Sequence, residues 1–338
     1  MLGFLLAAAM VAPTNAAPVS GAPANSVASY WTADRIANAR TREFVFNPGS
    51  TRGTLVSAAP DASARSQTGK PIKPSPTPTP TPSPGTVTAT TGSSWNGGGL
   101  ALSATGKVFF QMGSTNYVCS GAVVTDSRTN VSLVLTAGHC VYDQASRTFA
   151  TNWMFIPAYD LTPNITSCAQ AIYGCWTAQA LVVHTGFSSE AGFTSNATRH
   201  DWAFAVVGAG TKDGRQLDVA VGSFPLLITG LAVGSFTVAF GYPAATPYSG
   251  QDLVYCAGSA GTDANNGGAT WSLPCKMTGG SSGGPWMSQF AGDRGSLSSL
   301  NSYRYSNLAN MYGPKFNDKT LATYQSANSA TSNLIVAP

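Results

Sequence analysis

The sequence predicts an all-β fold in its larger, C-terminal part, preceded by a region of different composition. From about residue 95 onward, short apolar runs alternate with segments rich in Gly, Asn and Ser. Many short strands at regular spacing are typical of a sandwich or a barrel. Hydrophobic residues make up 43% of the chain and charged residues only 9%, which is ample apolar material for a packed core. Two unrelated small β-domains would give the same pattern, and strand spacing alone does not separate these alternatives.

Several elements can be placed from the apolar pattern. Predicted strands lie at 107–112, 131–136, 180–184, 202–207 and 236–242. The stretch from Leu321 to Leu334 has a helical pattern and predicts a C-terminal helix. Near the N-terminus, Thr32 is a good capping residue before the run 33–39, which predicts a short helix there.

The chain begins with a predicted signal peptide, residues 1–17. The apolar run 2–12 is too short to span a bilayer, and small residues at 14–16 follow it as a cleavage pattern. A buried N-terminal helix is the alternative for this run. Cleavage of a signal peptide implies a secreted, extracellular protein.

A boundary is predicted between the N-terminal region and the β-rich domain, which we assign to residues 94–338. Residues 18–70 contain few large apolar residues outside 30–46. Residues 71–93 are rich in Pro, Thr and Ser, and this composition predicts a disordered, extended linker.

The charge distribution argues against a nucleic-acid partner. Residues 1–93 carry seven Lys or Arg and three Asp or Glu, which accounts for the whole net charge of +4. Residues 94–338 carry eleven of each sign. A domain without excess positive charge lacks the electrostatic footprint of polyanion binding. Nucleic acid is therefore not expected as a partner. No segment after the leader is long and apolar enough to cross a membrane, so a membrane is not expected as a partner either.

Six cysteines indicate disulfides rather than a metal site. They are Cys119, Cys140, Cys168, Cys175, Cys256 and Cys275. No C-x-x-C pair and only three histidines are present, so no metal is predicted. Six cysteines allow fifteen pairings, of which sequence neighbours suggest 119–140, 168–175 and 256–275. Each bridge would stabilise the fold by roughly 2–4 kcal/mol, and an even count fits an oxidising compartment.

The strongest chemical signal is the run 278–286, Thr-Gly-Gly-Ser-Ser-Gly-Gly-Pro-Trp. A nucleophilic serine needs its hydroxyl at a tight turn beside free backbone N–H groups, which stabilise the oxyanion of a tetrahedral intermediate. Glycines on both sides permit the backbone angles and the close approach of a substrate. A Gly/Ser-rich loop without chemistry has the same composition, so this run needs a second signal.

The second signal is the run 136–140, Thr-Ala-Gly-His-Cys, directly after a predicted strand. A general base must lie within about 2.6–3.2 Å of the hydroxyl that it deprotonates, so it needs a rigid position. A strand end and a cysteine able to bridge back to Cys119 would hold His139 in this way. A lone histidine has a structural role just as often.

Together, the two runs resemble the histidine and serine signatures of trypsin-like serine proteases. The runs 106–110, Gly-Lys-Val-Phe-Phe, and 116–121, Asn-Tyr-Val-Cys-Ser-Gly, are similar to the bacterial glutamyl-endopeptidase-like branch of that family. The resemblance covers roughly residues 100–316. It implies two six-stranded antiparallel β-barrels of the chymotrypsin-like kind, with the active site in the cleft between them.

The resemblance extends in part to the N-terminal region. Residues 30–35, Tyr-Trp-Thr-Ala-Asp-Arg, resemble the propeptides of secreted bacterial proteases. A propeptide-like segment at 18–70 implies a zymogen in which this segment restrains the domain or assists its folding. A disordered spacer is the alternative.

The family order of the catalytic groups is His, then Asp, then Ser, so the aspartate must lie between His139 and Ser282. The acids in that interval are Asp143, Asp160, Glu190, Asp201, Asp213, Asp218, Asp252 and Asp263. Only Asp201 opens a near-alternating apolar strand, as the aspartate of the family does. The resemblance therefore implies the triad His139, Asp201 and Ser282.

Two adjacent serines leave an ambiguity about the nucleophile. Aligning the Gly-Gly-Pro that follows them with the family signature places the nucleophile at Ser282 and the oxyanion-hole amides at Gly280 and Ser282. Ser281 then stands where the family has an acidic residue, which in digestive-type members pairs with the amine freed on activation. Its absence here puts that activation switch in doubt.

The substrate pocket is less well determined by the sequence. Counting back from Ser282 places Lys276 near the base of the primary pocket, where members with basic specificity carry an aspartate. Glutamyl endopeptidases carry a pocket histidine after the serine, and no histidine follows Ser282. We expect Lys276 to make the pocket tolerant of acidic or small polar side chains, with Asn301, Ser302 and Tyr303 forming one wall by alignment.

The sequence thus predicts a secreted, monomeric serine endopeptidase that needs no cofactor and acts on proteins or peptides. The alternative is a catalytically silent relative that uses the same barrels to bind proteins. A complete triad argues against this alternative, since a binding module has no need of all three groups. An esterase of different fold would normally place the serine before the acid and the histidine, which is the reverse of the order here.

Overall fold

The computed structural model describes residues 24–59, 87–161 and 165–337. The predicted signal peptide, residues 1–17, lies outside the described residues. So does the Pro-rich part of the predicted disordered linker, up to residue 86.

Strands dominate the described chain, and the helices are short. The helices are α1 Ala24–Tyr30, α2 Ala33–Asn38, α3 Gly99–Ser103, α4 Thr185–Ser188, α5 Leu217–Val221 and α6 Asp318–Ala327. The strands up to residue 143 are β1 Arg40–Thr41, β2 Glu43–Phe46, β3 Thr54–Val56, β4 Thr90–Ser94, β5 Thr105–Met112, β6 Thr115–Val124, β7 Ser132–Thr136 and β8 Tyr142–Asp143. Those up to residue 274 are β9 Thr148–Phe149, β10 Thr151–Pro157, β11 Trp176–His184, β12 Ala203–Val207, β13 Phe236–Gly241, β14 Val254–Ser259, β15 Gly261–Thr262 and β16 Thr270–Pro274. The last are β17 Pro285–Ala291, β18 Arg294–Leu300, β19 Tyr303–Tyr305, β20 Asn310–Pro314 and β21 Leu334–Val336.

The first half of the β-rich domain is a closed six-stranded antiparallel barrel. Its strands follow the order β6-β5-β10-β11-β12-β7, and pairing of β7 with β6 closes the ring. Every residue of β7 and β12 is buried. Helix α6 packs against β11 and β12 from outside, and β21 adds to β11 in parallel.

The second half consists of two packed sheets. Six of their strands, β13, β14, β16, β17, β18 and β20, correspond to a second barrel, and five further strands extend the sheets. One sheet has the order β18-β17-β13-β14-β4, and the other runs β15-β16-β20-β19-β2-β3. The sheets meet where β14 packs on β16 and β18 on β20. At the second seam a Cβ on Gly313 would collide with the carbonyl oxygen of Leu300, so only glycine allows this approach.

These observations confirm the predicted chymotrypsin-like double-barrel fold. The five predicted strands correspond to β5, β7, β11, β12 and β13. A C-terminal helix is also present, but it begins at Asp318, before the predicted start. It ends at Ala327, and Leu334 opens β21 instead of closing the helix. The cap of α6 explains the earlier start, since the Asn317 side chain accepts a hydrogen bond from the Lys319 N–H.

The three predicted disulfide pairings are confirmed. Cys119–Cys140 joins β6 to the turn after β7, Cys168–Cys175 closes a short loop before β11, and Cys256–Cys275 joins the two sheets of the second half. No helix among the described residues has the length and apolar character needed to cross a membrane.

Residues 24–58 are folded onto the β-rich domain. Thr32 caps α2 as predicted, accepting a hydrogen bond from the Arg35 N–H at 3.3 Å. The buried Trp31 indole donates to the carbonyl oxygen of Asn152 at the edge of the first barrel, over 2.7 Å. Strands β1 and β2 then join one sheet from each half of the domain.

Candidate active site

His139 lies in a 3₁₀ turn, Gly138–Cys140, two residues after the end of β7. The Cys119–Cys140 disulfide ties this turn to β6. Gly138 allows a close approach on the other side, because a Cβ at that position would lie 3.1 Å from Asp201 Oδ1. The imidazole is therefore held from two directions, and it is almost completely buried.

Asp201 is fully buried at the residue where the chain turns into β12. Its Oδ1 accepts a hydrogen bond from the backbone N–H of His139 at 2.8 Å, and its Oδ2 lies 2.8 Å from His139 Nδ1. Ser302 Oγ also donates to Oδ2, at 2.5 Å. A buried carboxylate needs such donors. Nδ1 is thereby engaged, and Nε2 is the ring nitrogen left for chemistry.

The glycine-rich run 278–286 forms the turn that leads into β17 and carries both candidate serines. Ser281 Oγ donates to the carbonyl oxygen of Thr278 within the same turn, at 2.8 Å. The carbonyl oxygen of Ser282 accepts from the Ser120 N–H at 2.7 Å, beside the Cys119–Cys140 disulfide. The geometry thus places Ser282, rather than Ser281, next to the turn that carries His139.

The backbone N–H groups of Gly280 and Ser282 have no acceptor among the described residues. The carbonyl oxygen of Gly279 accepts from the Ala244 N–H at 2.7 Å, and that of Ser281 accepts from the Gly284 N–H at 2.9 Å. A trans peptide places its N–H opposite its C=O. Both free N–H groups therefore point away from the protein partners of these carbonyls, as an oxyanion hole requires.

Residues 40–46, which we name the cleft segment, cross the surface between the two halves at this point. Strand β1 pairs with β6 of the first barrel, and β2 pairs with β19 of the second half, both in parallel. The Phe44 ring lies edge-on to the His139 imidazole, with 5.5 Å between centroids, and stacks on Phe193 at 4.1 Å. The cleft segment thus covers the side of the site that faces solvent.

Arg42 connects the cleft segment to both candidate catalytic residues. Ser282 Oγ donates to the carbonyl oxygen of Arg42 at 3.4 Å, and Arg42 Nε donates to the carbonyl oxygen of His139 at 3.0 Å. Its second nitrogen, Nη2, forms an ion pair with Asp143 at 2.8 Å. His139 Nε2 is buried and makes no hydrogen bond within the described chain.

Of the residues expected to line the pocket, Asn301, Ser302 and Tyr303 have other side-chain partners, whereas the Lys276 side chain is exposed. The backbone N–H of Lys276 bonds to the carbonyl oxygen of Thr91 in β4. The Asn301 amide donates to the carbonyl oxygens of Phe240 and Ser281, at 2.9 and 3.0 Å. Asn301 therefore supports the serine turn from beneath.

Tyr303 and Ser302 also point inward with their side chains. The Tyr303 hydroxyl donates to Asp263 at 2.5 Å, and Tyr305, two residues later, donates to the same carboxylate oxygen at 2.9 Å. Desolvation by burial, followed by these bonds to Asp263, raises the pKa of Tyr303 and of Tyr305. The backbone of Tyr303 is what faces the cleft, where it pairs with Phe44.

Arg304 is a cleft residue that sequence reasoning missed. Its Nε and Nη2 donate to the two carboxylate oxygens of Glu43, at 2.5 and 3.1 Å. The Glu43 side chain is 5% exposed and that of Arg304 30% exposed. No local motif marks Arg304, because its role depends on contact with a residue 261 positions away in the chain.

The other two histidines lie outside this site. His184 and His200 stack on each other, with 5.5 Å between centroids, and His200 packs edge-on to Trp202. Burial, with a smaller contribution from the nearby Lys319 charge, lowers the pKa of His200 to about 4. His184 accepts a hydrogen bond from the Gly186 N–H at 2.9 Å, which is a structural role.

One group of potential metal ligands occurs within the described residues, namely Cys119, His139 and Cys140. The two cysteines form a disulfide with each other. A metal-binding cysteine coordinates as the thiolate, which a disulfide lacks. This group therefore does not fit a metal ion.

Solved structures with the same architecture identify the family. The protease Anisep from Arthrobacter nicotinovorans superposes with a TM-score of 0.58 and 40% sequence identity, over 68% of this chain and 97% of that one. The chain belongs to the chymotrypsin-fold serine proteases. The thermostable serine protease AL20 from an extremophilic microorganism is similarly related, with a TM-score of 0.58, 36% identity and coverage of 68% and 99%.

A third structure in the serine protease family supports the fold alone. A Glu endopeptidase superposes with a TM-score of 0.52 and 17% identity, over 71% of this chain and 97% of that one. No protein-family model matches the chain, and no curated protein matches it significantly in sequence. Serine proteases act on proteins or peptides, which is the substrate class that family membership gives this chain.

Proposed function

We propose that the protein is a secreted serine endopeptidase, made as a zymogen, with His139, Asp201 and Ser282 as its catalytic triad. The observation that carries the proposal is the buried hydrogen bond of 2.8 Å between His139 Nδ1 and Asp201 Oδ2, made beside a serine turn with two free N–H groups. The carboxylate fixes the tautomer of the imidazole and stabilises the imidazolium that forms during the reaction.

The proposed reaction proceeds through an acyl-enzyme. His139 Nε2 accepts the proton of Ser282 Oγ as the oxygen attacks the carbonyl carbon of the peptide. The carbonyl oxygen becomes an oxyanion, which accepts hydrogen bonds from the N–H groups of Gly280 and Ser282. The imidazolium gives its proton to the leaving amine, and the acyl group stays on Ser282 until water, deprotonated by His139, releases it.

The position of the cleft segment supports the zymogen part of the proposal. The carbonyl oxygen of Arg42 accepts a hydrogen bond from the hydroxyl of Ser282, the proposed nucleophile, and Phe44 covers the imidazole. A substrate entering the site would have to displace both residues. We propose that residues 40–46 block the site until they are removed.

The direction of the cleft segment explains how it can occupy the site without being cleaved. The leaving amine of a substrate must lie near His139, on the first barrel, while the acyl part lies on the second half. A substrate chain therefore runs from β19 towards β6. The cleft segment runs the other way, from β1 on β6 to β2 on β19. Its peptide bonds are presented in reverse, which opposes productive attack.

Secretion is supported by the leader-like N-terminus and by the three disulfides. Disulfides form and persist in oxidising compartments. The residues of the proposed triad and oxyanion hole all belong to one chain, so the proposal needs no second subunit.

Covalent labelling tests the proposal. The purified protein, treated with an organophosphonate after limited proteolysis, is expected to carry an adduct on Ser282 that mass spectrometry locates. Ser282→Ala should remove most of a roughly 10⁶-fold rate acceleration, by analogy with triad knock-outs. Ser281→Ala is the matched control and should keep most activity. An adduct on Ser281, or none at all, would contradict the assignment, and the second result would favour a silent binding protein.

A further inference from the structure

We propose that Arg304 determines substrate specificity by binding the carboxylate of an acidic substrate side chain, and that Glu43 occupies its place in the zymogen. The inference rests on the proposed protease function. It assigns the recognition of acidic side chains to Arg304, a cation that lies in the cleft, instead of to the exposed Lys276.

The strand geometry directs Arg304 towards the cleft. Side chains of a strand alternate between its two faces. In β19, Tyr303 and Tyr305 send their hydroxyls to the buried Asp263. Arg304, between them, therefore projects from the opposite face of the sheet. In the paired strand β2, Val45 stands opposite Arg304, and Glu43, two residues earlier, lies on that same face.

The position that Glu43 occupies lies close to the nucleophile. Its Cβ lies 3.2 Å from where a Cβ on Gly279 would stand, three residues before Ser282. The carbonyl oxygen of Arg42, the preceding residue of the cleft segment, accepts a hydrogen bond from Ser282 Oγ. We name the space between Gly279 and Arg304 the acid subsite. It lies close enough to Ser282 to bind a substrate side chain near the scissile bond.

The chemistry of the acid subsite suits a carboxylate. The Glu43 side chain is only 5% exposed, and its carboxylate is held by two charge-assisted hydrogen bonds in the bidentate geometry that guanidinium groups favour. A buried carboxylate without such a partner would be costly. Gln or Leu of similar size would leave the guanidinium without a charged acceptor.

Removal of the cleft segment would leave Arg304 without its ion-pair partner. Glu43 is the only carboxylate within ion-pair distance of Arg304 among the described residues. About two thirds of the Arg304 side chain is covered in the zymogen. A cation retained in a cleft without a counter-ion from its own domain is arranged for an anionic ligand. An acidic substrate side chain supplies that ligand.

A cleavage profile of the full-length protein tests the inference. The chain is activated by limited proteolysis with an added metalloprotease, which is then stopped with a chelator. A peptide library is digested, and residue preferences are read at each position on the amino-terminal side of the cleaved bond. We expect Glu or Asp to be enriched at one of these positions, at least tenfold over Gln.

Variants of Arg304 show whether this cation is responsible. Arg304→Gln should lose the acidic preference at that position by at least tenfold and leave the other positions unchanged. Arg304→Lys keeps the charge without the planar fork and should retain part of the preference. Arg294→Gln, at an exposed arginine away from the cleft, is the control and should match the unsubstituted protein.

The outcomes separate the inference from the proposed function. Labelling of Ser282 with hydrolysis but without acidic enrichment overturns the role of Arg304 alone, as does an unchanged profile in Arg304→Gln. If Arg304→Gln is poorly folded, the profile of Arg304→Lys decides. A partial decrease of the acidic preference at that one position supports the role of Arg304, and an unchanged profile overturns it. Absence of labelling at Ser282 overturns the protease function and the inference with it.

Discussion

Arg42 donates a hydrogen bond from Nε to the carbonyl oxygen of His139 over 3.0 Å, and so fastens the N-terminal region to the turn that carries the imidazole. Arg42 is 4% exposed and pairs at its other nitrogen with Asp143. Hydrogen bonds of this charged type contribute roughly 1.5–3 kcal/mol each. The side chain of Arg42 thus contributes to the attachment of the cleft segment, beside the strand pairings of β1 and β2.

Substituting Arg42 should release the site. Arg42→Ala in the unprocessed chain is expected to increase the rate of organophosphonate labelling at Ser282 by at least tenfold, since about 1.4 kcal/mol corresponds to a factor of ten. The rate is measured by intact-mass spectrometry over time. Arg40→Ala is the matched control, because Arg40 is exposed and, within the described part of the chain, its side chain bonds only to Ser57. Equal rates in the two variants would show that Arg42 does not hold the segment.

Ser302 should act as a positioning residue for Asp201. Its hydroxyl is the second donor to Oδ2, so Ser302→Ala leaves the carboxylate freer to rotate away from His139. We expect kcat to fall about tenfold with KM nearly unchanged, for the loss of roughly one hydrogen bond of 1–2 kcal/mol. Asp201→Asn should cost about 10⁴-fold.

A matched variant separates this role from a loss of stability. Ser299→Ala removes another buried hydroxyl, which donates to the carbonyl oxygen of Pro314 at the end of β18. It should change the melting temperature as much as Ser302→Ala while keeping kcat. A parallel loss of kcat in both variants would contradict the role assigned to Ser302.

Gly283 should tolerate no side chain. Its φ is +79°, and a Cβ there would collide with Thr136 Oγ1 and lie 2.5 Å from the carbonyl oxygen of Ser120. Gly283→Ala is expected to destabilise the fold by about 3 kcal/mol or more, measured by urea unfolding. Gly267 is the control for backbone strain without a steric collision, because its φ is +57° and no atom lies within 4 Å of a Cβ there. Gly267→Ala should lower the free energy of unfolding by about 1 kcal/mol. Similar losses at both glycines would rule out a steric effect.

His200 should reduce stability at acid pH. Burial lowers its pKa from 6.5 to about 4, so the unfolded chain binds the proton more readily between these two values. The free energy of unfolding should therefore decrease as pH falls from about 6.5 to 4, by at most about 1.4 kcal/mol per pH unit from this group. Below about pH 4 the contribution no longer changes.

The comparison that isolates this effect is His200→Gln. Asp160 titrates with the opposite sign over part of the range, because burial raises its pKa to about 6, so the pH dependence of the unsubstituted protein alone is not diagnostic. The difference in unfolding free energy between the two proteins should grow in favour of His200→Gln as pH falls. A constant difference between pH 7 and 4 would contradict the prediction.

The parts of the fold that the sequence predicted are those coded by local patterns. The apolar runs of β5, β7 and β12 identify strands by their alternation or burial, and Thr32 identifies the start of α2 by its capping side chain. The assignment of His139 and Ser282 came from short runs whose glycines are required by the turns. Their catalytic roles stay predictions until labelling tests them.

The contacts that the sequence did not predict are non-local. Glu43 and Arg304 are ordinary charged residues in their own neighbourhoods, and only the parallel pairing of β2 with β19 brings them together. Counting back along the serine signature placed Lys276 in the pocket, yet a count does not report the direction of a side chain. Ser302 was expected in the pocket wall, but its hydroxyl points at Asp201.

Ser120 of the first barrel makes three hydrogen bonds to the second half, two of them to the serine turn. Its N–H donates to Ser282, its Oγ donates to Gly280, and the same Oγ accepts from the Tyr242 N–H. The two barrels therefore share one residue as the template on which the reactive turn is shaped. Separation of the two halves would therefore disrupt the serine turn and end turnover at the same time. Residual activity after heating would then measure the fraction of molecules in which the two halves are still in contact.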